Sequence, residues 1–263
     1  LAIESLIRQG YNNKEMIIVD SKSIDQSHKI IKEFSENYSN IKWVKENDLG
    51  ISDAINIGLK HCSGDLIMQM GHDDILQDIV FSVIASYSRI IDFDLIYFDS
   101  YNYFVEEGRC VLRKCPNLEI NRGNLIKYGT IVGGQSTYFK RHVFDKYKFN
   151  VNNKYSMDYE LLLTISEENY LDFYVPRVGT ISICDSNIST TVGPSSLEGI
   201  EVAIKFAKSY SDVTKIYYRF YSIKNGFQLI LYLFVSLFRL SSLLLRNKIS
   251  IEFIILRWLF NRI

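Results

Sequence analysis

Acidic side chains follow three short apolar runs of the sequence, at Asp20, at the adjacent pair Asp73 and Asp74, and at Asp99. Continuous apolar runs of this kind are typical of buried strands in parallel sheets, and such sheets bind ligands beyond the carboxyl ends of their strands. A lone Asp at such a position is usually a turn or cap residue. Two adjacent carboxylates repel each other unless a cation lies beside them, and a divalent cation commonly binds together with a phosphate-bearing ligand. The pattern therefore favours a nucleoside-diphosphate substrate.

The segment 48–58 (DLGISDAINIG) is the most distinctive stretch of the chain. Gly50 permits a tight turn before a helix that the spacing predicts over residues 52–62. Asp53 and Asn56 are three positions apart, so they share one face of this helix. An ordinary capped amphipathic helix explains the apolar positions but not this polar pair.

Apolar strands alternate with amphipathic helices along most of the chain, which predicts an α/β sheet with right-handed crossovers. The predicted strands cover residues 15–20, 41–44, 66–70, 95–99 and 173–184. The predicted helices cover residues 1–9, 25–37, 52–62, 79–91, 157–167 and, as one long helix, 198–221. Residues 101–153 have a mixed pattern with hairpin-like segments.

The charges of this 263-residue chain are balanced overall, with 30 basic and 30 acidic residues, but they are unevenly distributed. Residues 1–200 carry 20 basic and 27 acidic side chains, whereas residues 201–263 carry 10 and 3. This asymmetry suggests that the C-terminal end meets an anionic surface. The composition, with 47% hydrophobic and 23% charged residues, excludes disordered, collagen-like and coiled-coil chains. The four cysteines form no CxxC pair, so we expect buried, reduced thiols in a cytosolic protein.

The C-terminal tail is apolar as well as basic. Its longest charge-free stretch, residues 225–238, has 14 residues, which is short of the roughly 20 needed to span a bilayer. Arg239 and Arg246 fall on a narrow polar stripe, and Trp258 lies near the chain end, which favours an interfacial amphipathic helix on an anionic membrane. A helical hairpin that packs on the domain or forms a homodimer, and a span with a snorkelling Arg239, remain alternatives. Nucleic-acid binding is not expected, because the basic residues are not interleaved with aromatics on a polar surface.

Five motifs follow one another in a consistent order over roughly residues 1–190. They are VDSKSID from Val19, DLGISDAINIG from Asp48, GDLIMQMGHDD from Gly64, GQSTYF from Gly134 and MDYEL from Met157. This ordered set resembles the family 2 inverting glycosyltransferases of the GT-A fold, and in particular the bacterial enzymes that build capsule, O-antigen or exopolysaccharide. The resemblance implies a GT-A domain over residues 1–197, with a Rossmann-like mixed sheet flanked by helices. A helical, basic, membrane-associating region would follow over residues 198–263.

The resemblance also implies roles for individual residues. Asp158 would be the general base that removes the acceptor hydroxyl proton, and Asp73 would bind Mn²⁺ or Mg²⁺ at the donor diphosphate. The predicted donor-binding residues are Asp20, Asp48, Asp53, Asn56, Asp74 and Gln135. We expect a nucleotide-sugar donor, UDP-linked, and a lipid-linked or growing glycan acceptor. The protein would then work in the cytoplasm, peripherally at the inner face of the cell membrane.

The sequence departs from the family pattern at several positions. Gly71 stands where the family has Asp or Asn, Gly134 where it has His, and Met157 where it has an acidic residue. The family's first strand has no counterpart before residues 1–9, so we expect the true N-terminus to be missing. These departures leave open an alternative, a non-catalytic nucleotide-sugar-binding or scaffold homologue with a partner-docking tail.

Overall fold

A computed structural model describes residues 1–20, 22–185 and 194–221 of the chain. The apolar tail predicted to bind a membrane, residues 225–263, lies outside the described residues. All four cysteines are free, but only Cys115 is buried and Cys110 is exposed, so the expectation of buried thiols holds for one of them.

The N-terminal part is a parallel strand–helix–strand unit with a helix on either side. In chain order it contains α1 (Ala2–Ile7), β1 (Met16–Val19), α2 (Ser27–Asn37), β2 (Ile41–Val44) and α3 (Ile51–His61). Strand β1 pairs with β2 from Met16 opposite Ile41 to Val19 opposite Val44, as the predicted crossover requires. The two strands end side by side, so the residues that follow them lie at one edge.

A six-stranded mixed sheet forms the centre of the molecule. Its strands are β3 (Leu66–Ile67), β4 (Asp74–Leu76), β5 (Leu95–Phe104), β6 (Arg109–Arg113), β7 (Thr137–Lys140) and β8 (Asp172–Cys184). The order is β3-β7-β5-β8-β4, with β6 pairing β5 as a hairpin. Within the described ranges, β5 and β8 form the only parallel pair of this sheet, and its other strand pairs are antiparallel. The expectation of parallel strands is therefore met in this sheet by one pair. The mixed sheet implied by the resemblance is confirmed.

Helices and one short 3-10 turn cover the sheet. They are α4 (Val80–Tyr87), α5 (Arg122–Tyr128), the 3-10 turn (Gly134–Ser136), α6 (Arg141–Lys146), α7 (Met157–Ile165), α8 (Pro194–Lys205) and α9 (Tyr210–Tyr221).

The long helix predicted over residues 198–221 is two helices, α8 and α9. The Ser209 hydroxyl accepts a hydrogen bond from the Asp212 N–H at 3.2 Å, and the Asp212 carboxylate accepts one from the Lys208 N–H at 3.0 Å. This exchange resembles a capping box, which starts a new helix and ends the previous one.

Both C-terminal helices belong to the main hydrophobic core. Ile200 of α8 and Ile216 of α9 are fully buried together with Leu125 of α5 and Leu163 of α7. The predicted domain boundary after residue 197 lies inside α8, and the described part of the region that follows it packs on the sheet domain.

Part of the C-terminal basic excess is paired within the protein. Lys205 contacts the Glu160 carboxylate at 2.5 Å, and Lys208 contacts Glu167 at 2.6 Å. These cations pair with helix α7 and its C-terminal turn. In the described ranges no helix combines the length and the hydropathy needed to cross a membrane.

Candidate active site

Asp158 lies in the first turn of α7, where the chain leaves a polar loop. Its Oδ1 accepts a hydrogen bond from the Nε2 of Gln69, which follows β3. Burial of the carboxylate raises the pKa of Asp158, and the Gln69 hydrogen bond and the positive charge of Arg113 lower the pKa by a smaller amount. A carboxylate with a raised pKa takes up a proton more readily, which is the property of a general base.

Gly134 makes room for this pair. A Cβ at residue 134 would lie closer than 3.0 Å both to Asp158 Oδ2 and to Gln69 Nε2. Gly134, which departs from the family pattern, is therefore explained by the structure of this chain, because Asp158 and Gln69 occupy the space that a side chain at residue 134 would need.

Gln135, Ser182 and Asp74 form a continuous hydrogen-bonded chain beside this site. Gln135 Nε2 donates to the Ser182 hydroxyl at 2.7 Å, and that hydroxyl donates to Asp74 Oδ1 at 2.6 Å. The other Asp74 oxygen accepts from the Gly71 N–H at 2.8 Å. Asp74 is 7% exposed, and this burial, with the nearby charge of Asp73 as a smaller effect, raises the pKa of Asp74. Both Asp74 oxygens thus bind the protein itself, and donor contacts for Asp74 and Gln135 stay predictions.

Asp73 is more accessible than Asp74. A Cβ at Gly71 would collide with its Oδ1, so the Asp73 carboxylate lies over the glycine. Burial, followed by the charges of Asp73 and Asp74, raises the pKa of the neighbouring Cys184 thiol. No cluster of three or more His, Cys, Asp or Glu side chains suited to a metal occurs in the described parts of the chain. Of the acidic pair, Asp73 is the more accessible carboxylate, whereas both oxygens of Asp74 accept hydrogen bonds within the protein.

Asp20 lies at the end of β1, as predicted. Its Oδ1 accepts from the N–H groups of Lys22 and Ser23 at 3.2 and 3.1 Å, and His28 Nε2 lies 3.6 Å away. Partial burial opposes ionisation, but the hydrogen bonds from Ser23 and Lys22 together outweigh it and lower the pKa of Asp20. The Trp43 indole donates to the Asp20 carbonyl at 2.8 Å. This edge therefore combines a carboxylate that stays ionised with an aromatic face.

The distinctive segment before and within α3 is held mainly by its own side chains. Asp48 accepts from the Gly50 N–H at 3.0 Å, and Asp53 accepts from the Leu49 N–H at 2.9 Å. Gly50 has a φ of 136°, which explains the glycine. Donor contacts for Asp48 and Asp53 stay predictions.

Asn56 has a structural explanation that the sequence did not reveal. Its Nδ2 donates to the Phe149 carbonyl at 2.8 Å, and its Oδ1 accepts from the Phe149 N–H at 2.9 Å. The side chain thus joins α3 to the loop after α6, and its predicted donor contact would compete with this pairing.

Asp99 does not end a strand. Strand β5 continues to Phe104, and Asp99 is buried within it, where it accepts from the Cys115 N–H at 2.7 Å and the Tyr174 hydroxyl at 2.8 Å. The expectation that this carboxylate faces the ligand crevice is therefore wrong.

Two residues beside Asp158 were missed in the sequence. Gln69 is the single polar residue in the apolar run LIMQM, and that was a usable signal. The charge of Arg113 acts on Asp158 from the β5–β6 hairpin, where Arg113 pairs with Ser100, and no local pattern indicates this interaction.

Comparison with known proteins identifies the family. The Glycosyl transferase family 2 model matches residues 1–148, more than half of the chain. The chain belongs to this family. The family consists of transferase enzymes, and the match covers every predicted site residue except Asp158.

Curated relatives of this family 2 chain include proteins of surface-polymer synthesis. The chain is 28% identical over 177 residues to the minor teichoic acid biosynthesis protein GgaB of Bacillus subtilis. This alignment covers 64% of the chain and 19% of GgaB. A second relative is the Escherichia coli UDP-Glc:alpha-D-GlcNAc-diphosphoundecaprenol beta-1,3-glucosyltransferase WfaP, which is 30% identical to the chain over 131 residues. That alignment covers 49% of the chain and 50% of WfaP. A match to the glycosyltransferase GlyA of Streptococcus pneumoniae spans only 15% of that protein.

Solved structures show the same fold. The S. aureus TarS fragment 1–349 in complex with UDP-GlcNAc has a TM-score of 0.66 at 15% identity, over 87% of this chain and 70% of that one. The mannosyltransferase PcManGT from Pyrobaculum calidifontis, in complex with GDP-Man and Mn²⁺, has a TM-score of 0.56 at 13% identity, over 99% of this chain and 74% of that one. The GT-A fold predicted from the motifs is confirmed.

Proposed function

We propose that this family 2 chain is an inverting glycosyltransferase of bacterial surface-polysaccharide synthesis. It moves a sugar from a nucleotide sugar, UDP-linked, to a hydroxyl of a lipid-linked or growing glycan. The observation that carries the proposal is Asp158, a desolvated carboxylate held by Gln69 in the space that Gly134 leaves open. The UDP-GlcNAc bound to TarS and the names of GgaB and WfaP support the donor class and the pathway.

Asp158 acts as the general base in this proposal. Because the Gln69 amide holds Oδ1, Oδ2 is the oxygen that accepts the acceptor's hydroxyl proton. The freed oxygen attacks the anomeric carbon as the bond to the nucleoside diphosphate breaks, so the configuration inverts. The raised pKa of Asp158 brings the base closer to neutral pH, where proton transfer is more effective.

The N-terminal unit binds the nucleotide part of the donor. Asp20 accepts a hydrogen bond from the base, and the turn closed by Asp48 and Asp53 shapes the adjoining wall. The ionised state of Asp20 suits an acceptor of N–H bonds, since its pKa is lowered.

A divalent cation, Mn²⁺ or Mg²⁺, fits the residues of the Gly71–Asp74 turn if Asp73 is its protein ligand. Mg²⁺ commonly binds through one or two carboxylates plus substrate phosphates, so a larger protein cluster is not required. When bound, the metal offsets negative charge on the departing diphosphate.

The proposed location is the cytoplasmic face of the membrane, where a lipid-linked acceptor is available. The apolar basic stretch 225–263 would make a peripheral contact with anionic lipid or, alternatively, a homodimer. Liposome flotation of the full chain and of a chain ending at residue 224 tests this contact, and equal flotation would contradict it.

Donor turnover tests the proposed reaction. Purified protein with Mn²⁺ and a panel of UDP- and GDP-sugars should release nucleoside diphosphate from at least one donor, and calorimetry should show UDP binding that Asp73→Ala weakens. UDP binding without any turnover, with or without added lipid-linked acceptor, would favour the non-catalytic homologue. Binding that is independent of the metal would remove the role of Asp73.

A further inference from the structure

Side chains of α8 and α9 contact helix α7 and the loop before it, at residues close to Asp158 in the chain. Three separate contacts reach the residues just before and just after Asp158, and each comes from a side chain beyond residue 197. None of the three contacting side chains lies in a sequence motif of the family, although Tyr159 and Glu160 belong to the MDYEL motif.

The first contact is made by Glu198 of α8. Its carboxylate accepts three consecutive backbone N–H groups, from Lys154 at 2.8 Å, Tyr155 at 2.5 Å and Ser156 at 2.8 Å. Ser156 is the N-cap residue of α7, and its own side chain makes no capping hydrogen bond. A carboxylate from a different helix therefore supplies the negative charge that favours a helix N-terminus.

The second contact is made by Lys205, the last residue of α8. Its ammonium pairs with Glu160 at 2.5 Å, and Glu160 is only 7% exposed. The other Glu160 oxygen accepts from Asn150 at 2.9 Å and from Asn153 at 3.0 Å. Glu160 thus ties the loop before α7 to α7 itself and to α8.

The third contact is made by Arg219 of α9. It donates to the Tyr159 hydroxyl at 2.9 Å and lies over the Tyr159 ring at 4.9 Å. Tyr159 is 2% exposed, and its hydroxyl donates to the Leu125 carbonyl at 2.9 Å. Gly129 is required for two reasons: its φ is +87°, and a Cβ there would collide with the Arg219 guanidinium.

We infer that Glu198 is a positioning residue for the general base, and that α8 and α9 are parts of the catalytic site rather than a separate attachment region. The inference rests on the proposed function of Asp158. Asp158 lies between Ser156, which Glu198 holds, and the Tyr159–Glu160 pair, which Arg219 and Lys205 hold. With the backbone held on both sides, the Gln69 hydrogen bond directs the carboxylate toward Gln69 and the space above Gly134.

The energetics favour Glu198 as the most informative of the three. Lys205 is 62% exposed at its side chain, and an exposed cation in such a pair contributes little. Tyr159 belongs to the core and Arg219 packs on its ring, so their loss would disturb the fold. Glu198 acts on three backbone donors of a loop that leads directly into the catalytic turn.

The test compares Glu198→Ala with Glu201→Ala, because Glu201 is an exposed acidic residue one turn along the same helix. We expect kcat for donor turnover to fall about 10- to 100-fold in Glu198→Ala, since small misplacement of a catalytic group has effects of this size. The donor KM and the UDP affinity should change less than about twofold, because loss of orientation acts on the chemical step. Glu198→Gln, which keeps the length and one acceptor oxygen, should recover part of the activity.

Hydrogen exchange supplies a readout that does not depend on turnover. Amides of residues 154–156 should exchange faster in Glu198→Ala than in the wild type or in Glu201→Ala. If kcat is equal in the two alanine variants, the inference is wrong. It is also wrong if kcat and UDP affinity fall together in Glu198→Ala and Glu198→Gln recovers neither. If the wild type itself shows no turnover, the proposed function fails, and the exchange data show separately whether Glu198 holds the loop.

Discussion

Gly71 and Gly134 occupy equivalent situations in two different parts of the site. Each stands where the family pattern has a polar side chain, and in each case an Asp carboxylate fills the space that a side chain would need. At Gly134 the carboxylate is Asp158, which is held by Gln69 on one side and by a backbone fixed from α8 and α9 on the other. At Gly71 it is Asp73, a partly exposed side chain.

The comparison shows that a glycine in place of a polar family residue can have different consequences for the proposed activity at two positions. At Gly134 the glycine is part of the arrangement that places the proposed base, so it argues for catalysis. At Gly71 the glycine removes one acidic side chain from the metal motif, and the next carboxylate, Asp74, is already bound within the protein. The alternative of a non-catalytic homologue therefore depends on Gly71 and not on Gly134.

Gly134→Ala should have the largest effect of the substitutions that separate the two glycines. The new methyl group displaces Asp158 or Gln69, so we expect kcat to fall about 100-fold with little change in UDP affinity. Gly10→Ala is the matched control, because a Cβ there meets nothing within 4 Å. Steady-state kinetics with calorimetry checks both, and unchanged turnover in Gly134→Ala would contradict the account of this loop.

Asp74→Ala should reduce stability rather than donor binding. It leaves the Ser182 hydroxyl and the Gly71 N–H without their acceptor, which costs about 1–3 kcal/mol in the free energy of unfolding. Urea unfolding measures this loss, and UDP calorimetry should show an unchanged affinity. An affinity loss without a stability loss would make Asp74 a donor ligand after all.

The pH dependence of stability provides a further check on Asp74. Burial raises its pKa in the folded state, so the folded protein binds this proton more tightly than the unfolded chain does. Protonation of Asp74 therefore stabilises the folded state as the pH falls through the raised pKa, and this contribution is complete below the pKa of an ordinary Asp. Asp74→Asn removes that contribution, and urea midpoints from pH 7 to pH 4 should show a correspondingly smaller gain at acid pH. An unchanged slope would contradict the burial of the charge.

Gln69→Leu should shift the pH profile of turnover. The Gln69 hydrogen bond lowers the pKa of Asp158, so its loss raises that pKa further. Because the base works only when deprotonated, the acid limb of the kcat profile should move to higher pH. For a shift of one pH unit, kcat at a pH below the limb should fall by up to about tenfold. The stability cost of leaving Asp158 without this donor should be offset in part, since the Gln69 Oε1 that is also removed is buried without a hydrogen-bond partner among the described residues. An unmoved acid limb would separate Gln69 from the base.

Gly71→Ala should have the smallest effect. The atom in the way is the end of the flexible Asp73 side chain, so the free energy of unfolding should change by less than about 0.5 kcal/mol. The Mn²⁺ concentration needed for half-maximal turnover should rise slightly, because Asp73 must move. If this variant loses as much activity as Gly134→Ala, the contrast between the two glycines is wrong.

The sequence predicted the fold class and the elements of the N-terminal unit because these depend on local periodicity and on ordered family motifs. Strand β2 was predicted with its observed bounds, and β1 lies within its predicted run. The break before α9 had a usable signal, the Ser209 and Asp212 spacing of a capping box, which the apolar periodicity obscured.

The partners of the candidate site were less predictable. Asn56, Asp74 and Asp99 were interpreted as ligand-facing, but each makes hydrogen bonds to groups that are distant along the chain. Glu198 lies more than 40 residues after the N–H groups it accepts, and no local pattern connects them. Tertiary pairing of this kind decides whether a polar residue is structural or available to a ligand, and periodicity carries no information about it.

The central claim, that Asp158 is the base of a sugar-transfer reaction, is tested most directly by Asp158→Asn in the full chain. Asn keeps the size and can still meet Gln69, but it cannot take the proton. We predict that nucleoside-diphosphate release from the donor falls about 100- to 10,000-fold while UDP affinity stays within about twofold. Wild-type turnover in Asp158→Asn would contradict the account.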